Sequence, residues 1–395
     1  MAIIKFLNRF FDARKNGRLD EIKQDFAQYR ISRKNNDIIK VKRIEKKFRS
    51  IVSKCTCGNL FASHIASFIT PLLCSSASEE ELERIIKVHV SEKKWQDKVW
   101  LKHIKKDIYF TEFFNRVNAD EYFRYQFEML SKAGRHSYVG DAESTSQFRK
   151  LDDPLESKIL QNKYNTYCFF KPYYKREAIC LNDFTDKHKF FDFCLRNSEF
   201  VVKPLSDGGG HGVCFFKLKT DEDKEELFKK IIEQGSVIVE ELIHQAYEMA
   251  KYHPDSINTI RVVTVQKGDN VEIIQTSVRL GVGDSRVDNG CLSAAVNTEA
   301  GIIISQGRTA HQKGLYLKHP DTGEQILGNQ IPEWENLITL VRLLASNFKK
   351  QRIIGWDMAY SVNGWVIVEA NSHPSIQTLA GNGVGMRDIF EKIIK

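Results

Sequence analysis

A cluster of glycines follows an apolar strand that ends in a lysine. Val201–Lys203 leads into a loop that contains Gly208, Gly209, Gly210, His211 and Gly212, and a second apolar strand follows. Because glycine has no Cβ, the backbone N–H groups of such a loop approach an anion closely, and Lys203 adds positive charge. The pattern predicts a flap over a triphosphate, with a flexible hairpin loop as the alternative. A Walker-type loop is excluded, since no Gly-x-x-x-x-Gly-Lys-Ser/Thr occurs.

Two carboxylates and an amide lie in a pair of apolar strands near the C-terminus. Asp357 is in the first strand, Glu369 and Asn371 are in the second, and a turn at Asn363-Gly364 joins the strands. Residues two apart on a strand share a face, so Glu369 and Asn371 point the same way, and Asp357 can join them. Hard oxygen donors of this kind suit Mg²⁺. Exposed strand ends are the alternative, but polar groups in apolar strands are costly to bury without a partner.

Two arginines lie in β-branched segments between these motifs. Arg261 follows Asn258-Thr-Ile, and Arg279 follows Thr276-Ser-Val. Arginine in such a strand is either a solvent-facing residue of a half-exposed sheet or a bidentate clamp for an anion. Together with the glycine loop, the lysine and the carboxylates, the anion clamp is the better interpretation.

The elements that must position these residues form an α+β arrangement with largely antiparallel strands. Before about residue 150 the pattern is helical, with amphipathic helices predicted at Glu79–Val90 and Trp95–Ile108. The later predicted helices are Leu155–Phe170, Thr185–Asn197, Asp221–Gln234, Glu333–Lys350 and Arg387–Ile394. The predicted strands are Phe200–Lys203, Val213–Leu218, Val237–Glu240, Thr259–Gln266, Val271–Leu280, Ile302–Ser305, Ile353–Ser361 and Trp365–Glu369.

The positive charge of the chain is concentrated at its N-terminus. The net charge is +8, but residues 1–54 carry 16 Lys/Arg against 6 Asp/Glu, so residues 55–395 have a net charge of −2. This distribution disfavours nucleic-acid binding by the main body, because such binding needs cations across the docking face. Residues 1–54 are predicted to be a basic helical arm that contacts anionic membrane. Packing on the enzyme body and a homodimer contact are equally open alternatives.

The cysteines and the first residues favour the cytoplasm. Eight cysteines are scattered along the chain, and Cys55-Thr-Cys57 is too tightly spaced for a metal knuckle. No cleavable signal is expected, because charge interrupts the N-terminus too early for an apolar core. Cys55–Ser78 lacks charged residues, but polar residues and helical spacing favour a buried helix over a membrane span. A cytoplasmic protein, in contact with the inner face of the membrane through its arm, is expected.

Spaced motifs over residues 152–395 resemble the ATP-grasp superfamily. The first group comprises Lys163, Val201-Val-Lys203-Pro with its glycine loop, Val237-Ile-Val-Glu240-Glu241-Leu242-Ile243, Asn258-Thr-Ile-Arg261, Trp356-Asp357 and Glu369-Ala-Asn371. A second group is similar to the sugar-transfer-associated branch, found alongside polysaccharide biosynthesis: His253-Pro-Asp-Ser-Ile-Asn258, Val287-Asp288-Asn289 and His319-Pro-Asp-Thr-Gly323. The resemblance implies an ATP-grasp fold of two α+β subdomains that clasp ATP, at residues 165–240 and 241–395. A helical domain at residues 55–150 precedes the ATP-grasp domain at residues 151–395.

The resemblance also implies a role for each matching residue. Lys163 and Lys203 would contact the ATP phosphates beneath the glycine flap, in which His211 would contact phosphate or substrate. Glu240, Glu241, Leu242 and Ile243 would form the hinge that binds adenine, and Glu248 would bind the ribose. Arg261 and Arg279 would stabilise the γ-phosphate and an acyl intermediate. Asp357, Glu369 and Asn371 would hold Mg²⁺, expected as two ions.

The activity implied by the resemblance is an ATP-dependent carboxylate–amine ligase that forms an amide through an acylphosphate. Its partners would be a carboxylate, such as a sugar acid or amino acid of a surface polysaccharide or capsule, and an amine. An ATP-grasp kinase that phosphorylates a hydroxyl is an alternative, because the same nucleotide site would serve it. A non-catalytic module at the membrane surface is a second alternative, which the intact Lys203, Asp357, Glu369 and Asn371 disfavour.

Overall fold

The computed structural model describes residues 79–206, 212–218, 223–284, 286, 291–309, 314–377 and 383–395. The basic arm predicted for residues 1–54 and the buried helix predicted within Cys55–Ser78 lie outside these ranges. The chain divides into two compact units, Met1–Ser131 and Lys132–Lys395. In the described part, no helix is both long enough and apolar enough to cross a membrane.

The described residues of the first unit are helical. Both predicted helices are present, but the second begins at Lys98 because the Asp97 side chain accepts hydrogen bonds from the N–H groups of Val99 and Trp100. Tyr122 is fully buried and donates a hydrogen bond to Asp107 over 2.5 Å. The helices are α1 (Glu79–His89), α2 (Glu92–Gln96), α3 (Lys98–Asn115) and α4 (Ala119–Arg124), with a 3₁₀ turn at Phe127–Met129.

The second unit carries helices on two antiparallel sheets. The predicted helix Leu155–Phe170 is two helices, because Asn162 caps a new one by accepting hydrogen bonds from the N–H groups of Tyr164 and Asn165. The helices are α5 (Lys132–His136), α6 (Asp141–Phe148), α7 (Glu156–Leu160), α8 (Lys163–Phe169), α9 (Lys171–Tyr174), α10 (Lys187–Arg196), α11 (Asp223–Ile232), α12 (Tyr247–Ala250), α13 (Trp334–Ala345) and α14 (Arg387–Ile394).

The four-stranded sheet has the order β1-β4-β2-β3, and all its described pairs are antiparallel. Its strands are β1 (Ala178–Leu181), β2 (Glu199–Pro204), β3 (Cys214–Lys217) and β4 (Val237–Glu241). A phenylalanine-rich core joins one face of this sheet to α10 and α11, with Phe190, Phe193, Phe200 and Phe228 each no more than 1% exposed. Burial of these rings fixes the sheet against its helices.

The six-stranded sheet has the order β10-β9-β5-β6-β7-β8 and is also antiparallel. Alternation along β5 places Ile260 and Val262 in the large core beneath α13, whereas Arg261 points to the opposite face. Its strands are β5 (Thr259–Lys267), β6 (Asn270–Leu280), β7 (Leu292–Ala295), β8 (Arg308–Thr309), β9 (Ile353–Ser361) and β10 (Gly364–Asn371).

The α+β class with antiparallel strands is confirmed, but individual strands differ from the sequence patterns. The strand predicted at Ile302–Ser305 is wrong, because this segment makes only isolated bridges, Val296 with Ile303 and Ile302 with Gln330. β1, β7 and the two-residue β8 have no counterpart among the predicted strands. The cysteines that the structure describes are free thiols.

Candidate functional site

A cavity of about 390 Å³ lies between the two sheets of the second unit. Apolar side chains from both sheets form its walls, among them Val201, Phe215 and Val368. A concave site with apolar walls and a few charged groups is typical of small-molecule binding. The predicted site residues that line it are Lys163, Lys203, Glu240, Glu241, Leu242, Ile243 and Glu369.

Glu240 is shared by two cations at the floor of the cavity. Strand β4 lies between β1 and β2, with Glu240 opposite Ala178 on one side and Val201 on the other. Lys203 Nζ donates to Glu240 Oε1 over 3.0 Å. Arg176 donates from Nε and Nη2 to Glu240 Oε2 over 2.8 and 2.5 Å. The glutamate is 2% exposed, so this cluster is an ion pair held within the protein.

The two cations keep Glu240 ionised. Burial alone would raise the pKa of this carboxyl, but Arg176 and Lys203 outweigh burial and lower the pKa from 4.5 to about 2. Burial lowers the pKa of Lys203, and Glu240 offsets this only in part. Lys203 is therefore a desolvated cation at the cavity wall, which a bound phosphate would stabilise.

This cluster gives a pH-dependent contribution to stability. Because the pKa of Glu240 falls on folding, the contribution is complete above the ordinary carboxyl pKa and is lost as the pH falls toward about 2. We expect the gap in unfolding free energy between the wild type and Glu240→Gln to shrink by about 2 kcal/mol from about pH 6 to about pH 3. Urea titrations at each pH measure the gap. A gap that stayed constant would show that Glu240 titrates as in the unfolded chain.

Lys163 reaches Glu369 at the end of the cavity. The lysine is the first residue of α8, and its backbone N–H donates to Leu205 O over 2.9 Å, which ties the helix start to the end of β2. Its Nζ lies 3.2 Å from Glu369 Oε1. The structure therefore brings the predicted phosphate lysine beside a predicted metal ligand.

Glu369, Asp357 and Arg261 form a row across β10, β9 and β5. Asp357 is paired in register with Glu369 on one side and with Arg261 on the other. Arg261 binds both carboxylate oxygens of Asp357, from Nε to Oδ1 and from Nη2 to Oδ2, the latter over 2.6 Å. Arg279 Nη1 lies 3.5 Å from Asp357 Oδ1, and Asn371 Nδ2 lies 3.4 Å from Oδ2. The predicted arginines and metal ligands thus converge on one buried carboxylate.

The arginines keep Asp357 charged. Burial would raise its pKa, but Arg261 and Arg279 outweigh burial and lower it. The donor set fits a hard divalent cation, since two carboxylates and an amide oxygen are adjacent on one face. No three His, Cys, Asp or Glu side chains converge within the described ranges, so the third protein donor there would be Asn371. The arginine and lysine side chains that now neutralise these carboxylates would have to move before a metal ion could bind.

Of the predicted site residues that the structure describes, six do not line the cavity: Gly212, Glu248, Arg261, Arg279, Asp357 and Asn371. Gly208, Gly209, Gly210 and His211 lie outside the described residues. Gly212 has φ +71°, and a Cβ there would lie 2.7 Å from Pro204, so the position requires glycine. Glu248 lies on α12, is exposed and does not line the cavity, and its contact with ribose stays a prediction.

Arg176 and Arg286 line the cavity but were not predicted. Arg176 lies just before the very short strand β1, where a charged residue is expected to be an exposed strand end. Only its pairing with Glu240 could have indicated that Arg176 belongs to the site. Arg286 follows β6, and its guanidinium lies 4.4 Å from the ring centroid of Phe215 in the other sheet. This cation–π contact joins the two sheets across the cavity.

The two histidine motifs fix the segment that follows β6. His253 Nε2 is 2.8 Å from Gly283 O, and His319 Nε2 is 2.7 Å from Gly281 O. Gly281 N donates to Asn258 Oδ1 over 3.0 Å. A Cβ on Gly281 would lie 1.8 Å from Ser256 Oγ, so only glycine fits there. Residues 287–289 of the third motif lie outside the described residues.

A structure search finds proteins of low sequence identity. D-alanyl-alanine synthetase A from Vibrio cholerae is 12% identical, covers 61% of this chain and has a TM-score of 0.41. The D-Ala:D-Ser ligase from Enterococcus faecalis is 11% identical, covers 62% and has a TM-score of 0.41. D-Alanine-D-alanine ligase from Helicobacter pylori is 16% identical, covers 60% and has a TM-score of 0.38. The chain spans 66%, 64% and 61% of their respective lengths, less than two thirds of each.

A search of the curated proteins finds no match. The family model described as "Sugar-transfer associated ATP-grasp" matches residues 135–395. This range contains both antiparallel sheets and the cavity between them, and it extends over more than half of the chain. The fold of the second unit is therefore the ATP-grasp fold, and the chain belongs to the sugar-transfer associated ATP-grasp family.

Proposed function

We propose that this protein is an ATP-dependent carboxylate–amine ligase. The observation that carries the proposal is the meeting of opposite charges at one cavity: Lys163 and Lys203 line it with Glu369, Lys163 lies beside Glu369, and the neighbour of Glu369, Asp357, binds Arg261. Triphosphate chemistry needs cations for the phosphates and carboxylates for the metal, close together and shielded from water. Membership of an ATP-grasp family supports ATP as the nucleotide.

The nucleotide would lie between the two sheets. Adenine would occupy the apolar end, with Glu240, Glu241, Leu242 and Ile243 as its hinge, because β4 ends at Glu241 and the next residues line the cavity. The phosphates would extend toward Lys163 and Lys203, beneath the loop from Gly208 to Gly212. Glu248 is proposed for the ribose hydroxyls.

Mg²⁺ would be held by Asp357, Glu369 and Asn371, with two ions shared with the triphosphate. Bound metal supplies charge neutralisation of the phosphates as they transfer. The chain's own residues orient the groups. Arg261 and Arg279 would turn toward the γ-phosphate, and Lys163 and Lys203 would fix the β- and γ-phosphates in line with the attacking oxygen.

The reaction would proceed in two steps. A carboxylate oxygen of the substrate forms a bond to the γ-phosphorus while the bond to the bridging oxygen breaks, which releases ADP and leaves an acylphosphate. The amine nitrogen then bonds to the acyl carbon, phosphate departs with the C–O bond electrons, and the nitrogen loses a proton. Closure of the glycine flap would exclude water and so protect the acylphosphate from hydrolysis.

The proposed carboxylate is a sugar acid or an amino acid of a surface polysaccharide. The family description, which links this ATP-grasp branch to sugar transfer, supports this class. Arg261 and Arg279 provide the positive charge that a carboxylate and its phosphorylated form would require.

Product analysis tests the activity. With Mg²⁺ and ATP, we expect free phosphate and ADP in equal amounts only when a carboxylate and an amine are both supplied from panels of uronic acids and amino acids. A stable phosphoester in place of free phosphate would indicate a kinase. Absence of nucleotide binding and turnover with every pair would favour the non-catalytic module.

We also propose a peripheral role for residues 1–54 at the inner face of the membrane. Each of the 16 basic residues held near an anionic lipid surface would contribute about 1 kcal/mol, which salt screens. The full-length protein should sediment with anionic vesicles at low salt. Deletion of residues 1–54 should remove the protein from the pellet. Unchanged sedimentation would favour packing of the arm on the enzyme or a homodimer contact, which gel filtration separates.

A further inference from the structure

Three buried polar side chains share the arginine-bearing face of the six-stranded sheet. Thr259, Ser277 and Gln275 are 3%, 0% and 5% exposed. Thr259 Oγ1, Ser277 Oγ and both amide atoms of Gln275 find no hydrogen-bond partner among the residues that the structure describes. Buried polar groups are nearly always paired in native proteins, so these positions call for an explanation.

Two of these three residues, Ser277 and Thr259, lie directly opposite the arginines that are proposed to bind phosphate. The β5–β6 register pairs Arg261 with Ser277 and Thr259 with Arg279. Side chains in directly opposite positions have Cβ atoms about 4.5–5.5 Å apart. Arg261 therefore has Asp357 on its β9 side and Ser277 on its β6 side. Arg279, on β6, extends across β5 to reach Asp357 on β9. On the way it passes Thr259, the β5 residue opposite it in register.

We propose that Ser277 and Thr259 are positioning residues for Arg261 and Arg279 in the nucleotide-bound state. In this structure, the guanidinium groups of both arginines contact the carboxylate of Asp357. With a divalent cation bound at Asp357, both arginines would turn from this carboxylate toward the phosphate, and Arg261 would lose its hydrogen bonds to Asp357. The hydroxyls of Ser277 and Thr259 are acceptors without a described partner, directly opposite Arg261 and Arg279.

This inference rests on the proposed function, because it uses the metal and phosphate positions assigned there. It predicts that metal and nucleotide strengthen each other's binding. With Asp357 neutralised by a bound metal, Arg261 and Arg279 would be available to the phosphate, and the two hydroxyls would hold them in that position. The hydroxyls therefore contribute to binding only when metal is present.

Calorimetric titration of the full-length protein with a non-hydrolysable ATP analogue, which keeps the γ-phosphate, tests this role in the presence and absence of Mg²⁺. Ser277→Ala and Thr259→Val are each expected to reduce the Mg²⁺-dependent gain in analogue affinity about tenfold, the effect of one hydrogen bond to a charged group. Analogue affinity without Mg²⁺ should stay within about twofold. Thr259→Ser, which keeps the hydroxyl, should retain the gain. The ligand-free melting temperature should be unchanged or raised, because the lost hydroxyls have no described partner.

Gln275→Met is the matched control. Gln275 shares the face and the burial of the other two residues, but it is opposite Val263 and not an arginine. This variant should keep the full Mg²⁺-dependent gain. Equal gains in Ser277→Ala, Thr259→Val and the wild type would overturn the inference and leave the proposed function standing. So would equal losses with and without Mg²⁺, which would indicate a structural role. Failure of the wild type to bind the ATP analogue with Mg²⁺ would overturn both.

Discussion

Glu369→Gln is expected to lower ATP turnover about 10³-fold, because metal-dependent charge neutralisation contributes several kcal/mol to phosphoryl transfer. Glu369 is next to Asp357 across β9 and β10 and lies 3.2 Å from Lys163, so its charge serves both the proposed metal and a phosphate lysine. The amide keeps the size of the side chain and removes the charge. Steady-state ADP release measures the loss.

The same substitution should leave the fold intact. Glu369 is 28% exposed, and ion pairs with this degree of solvent contact contribute only about 0–1 kcal/mol to stability. Glu324→Gln is a matched control, because Glu324 forms a similar pair with Lys251 at 3.6 Å but does not line the cavity. The control should turn over ATP at the wild-type rate. If Glu369→Gln did so too, Glu369 would be removed from the metal site.

Arg176→Leu is expected to destabilise the protein by about 3–5 kcal/mol, because it leaves a buried carboxylate with one of its two cations missing. Arg176 is 3% exposed and Glu240 is 2% exposed. The guanidinium also donates to Ile367 O over 2.6 Å, so it connects the cluster in the four-stranded sheet to β10 of the other sheet. Chemical denaturation of the ligand-free protein measures the loss.

An exposed pair with the same chemistry provides the comparison. Arg196 binds Glu177 through two nitrogens, over 3.1 and 2.6 Å, but the two side chains are 57% and 31% exposed. Arg196→Leu should cost less than about 1 kcal/mol, since water replaces the lost partner. Equal costs for the two variants would show that burial does not govern the Arg176 pair. ADP should stabilise Arg176→Leu against unfolding less than it stabilises the wild type, because loss of Arg176 would displace Lys203 and Glu240.

The candidate site residues could be singled out in the sequence because their spacing follows strand geometry. Glu369 and Asn371 are two apart on a strand, and the Asn363-Gly364 turn brings Asp357 next to them, as the β9–β10 register shows. Lys203 at the end of β2 and the hinge residues at the end of β4 line the cavity. Period-two patterning places Glu369 and Asn371 on one face, but the register shift between Ile367 and Glu369 is what brings Glu369 opposite Asp357.

The pairing of residues that are distant in sequence could not be predicted, even where the residues themselves were singled out. Arg176 and Glu240 are 64 positions apart, and Arg261 and Asp357 are 96 apart. Arg176 was not singled out at all, and Arg261 had two interpretations, an exposed strand residue or an anion clamp. Because the strand order is β10-β9-β5-β6, Arg261 lies next to Asp357 and binds this carboxylate of the chain itself.

The sequence by itself determined the α+β class, the ATP-grasp resemblance over the C-terminal part and the candidate residues, because short apolar strands and spaced motifs are local properties. The tertiary structure decided how the charges are paired. Lys163 with Glu369, Lys203 with Glu240, and two arginines with Asp357 follow from sheet order and register, which bring distant residues within hydrogen-bond reach. It also decided which hydroxyls are buried opposite those arginines, because burial depends on everything packed above a strand and not on the strand alone.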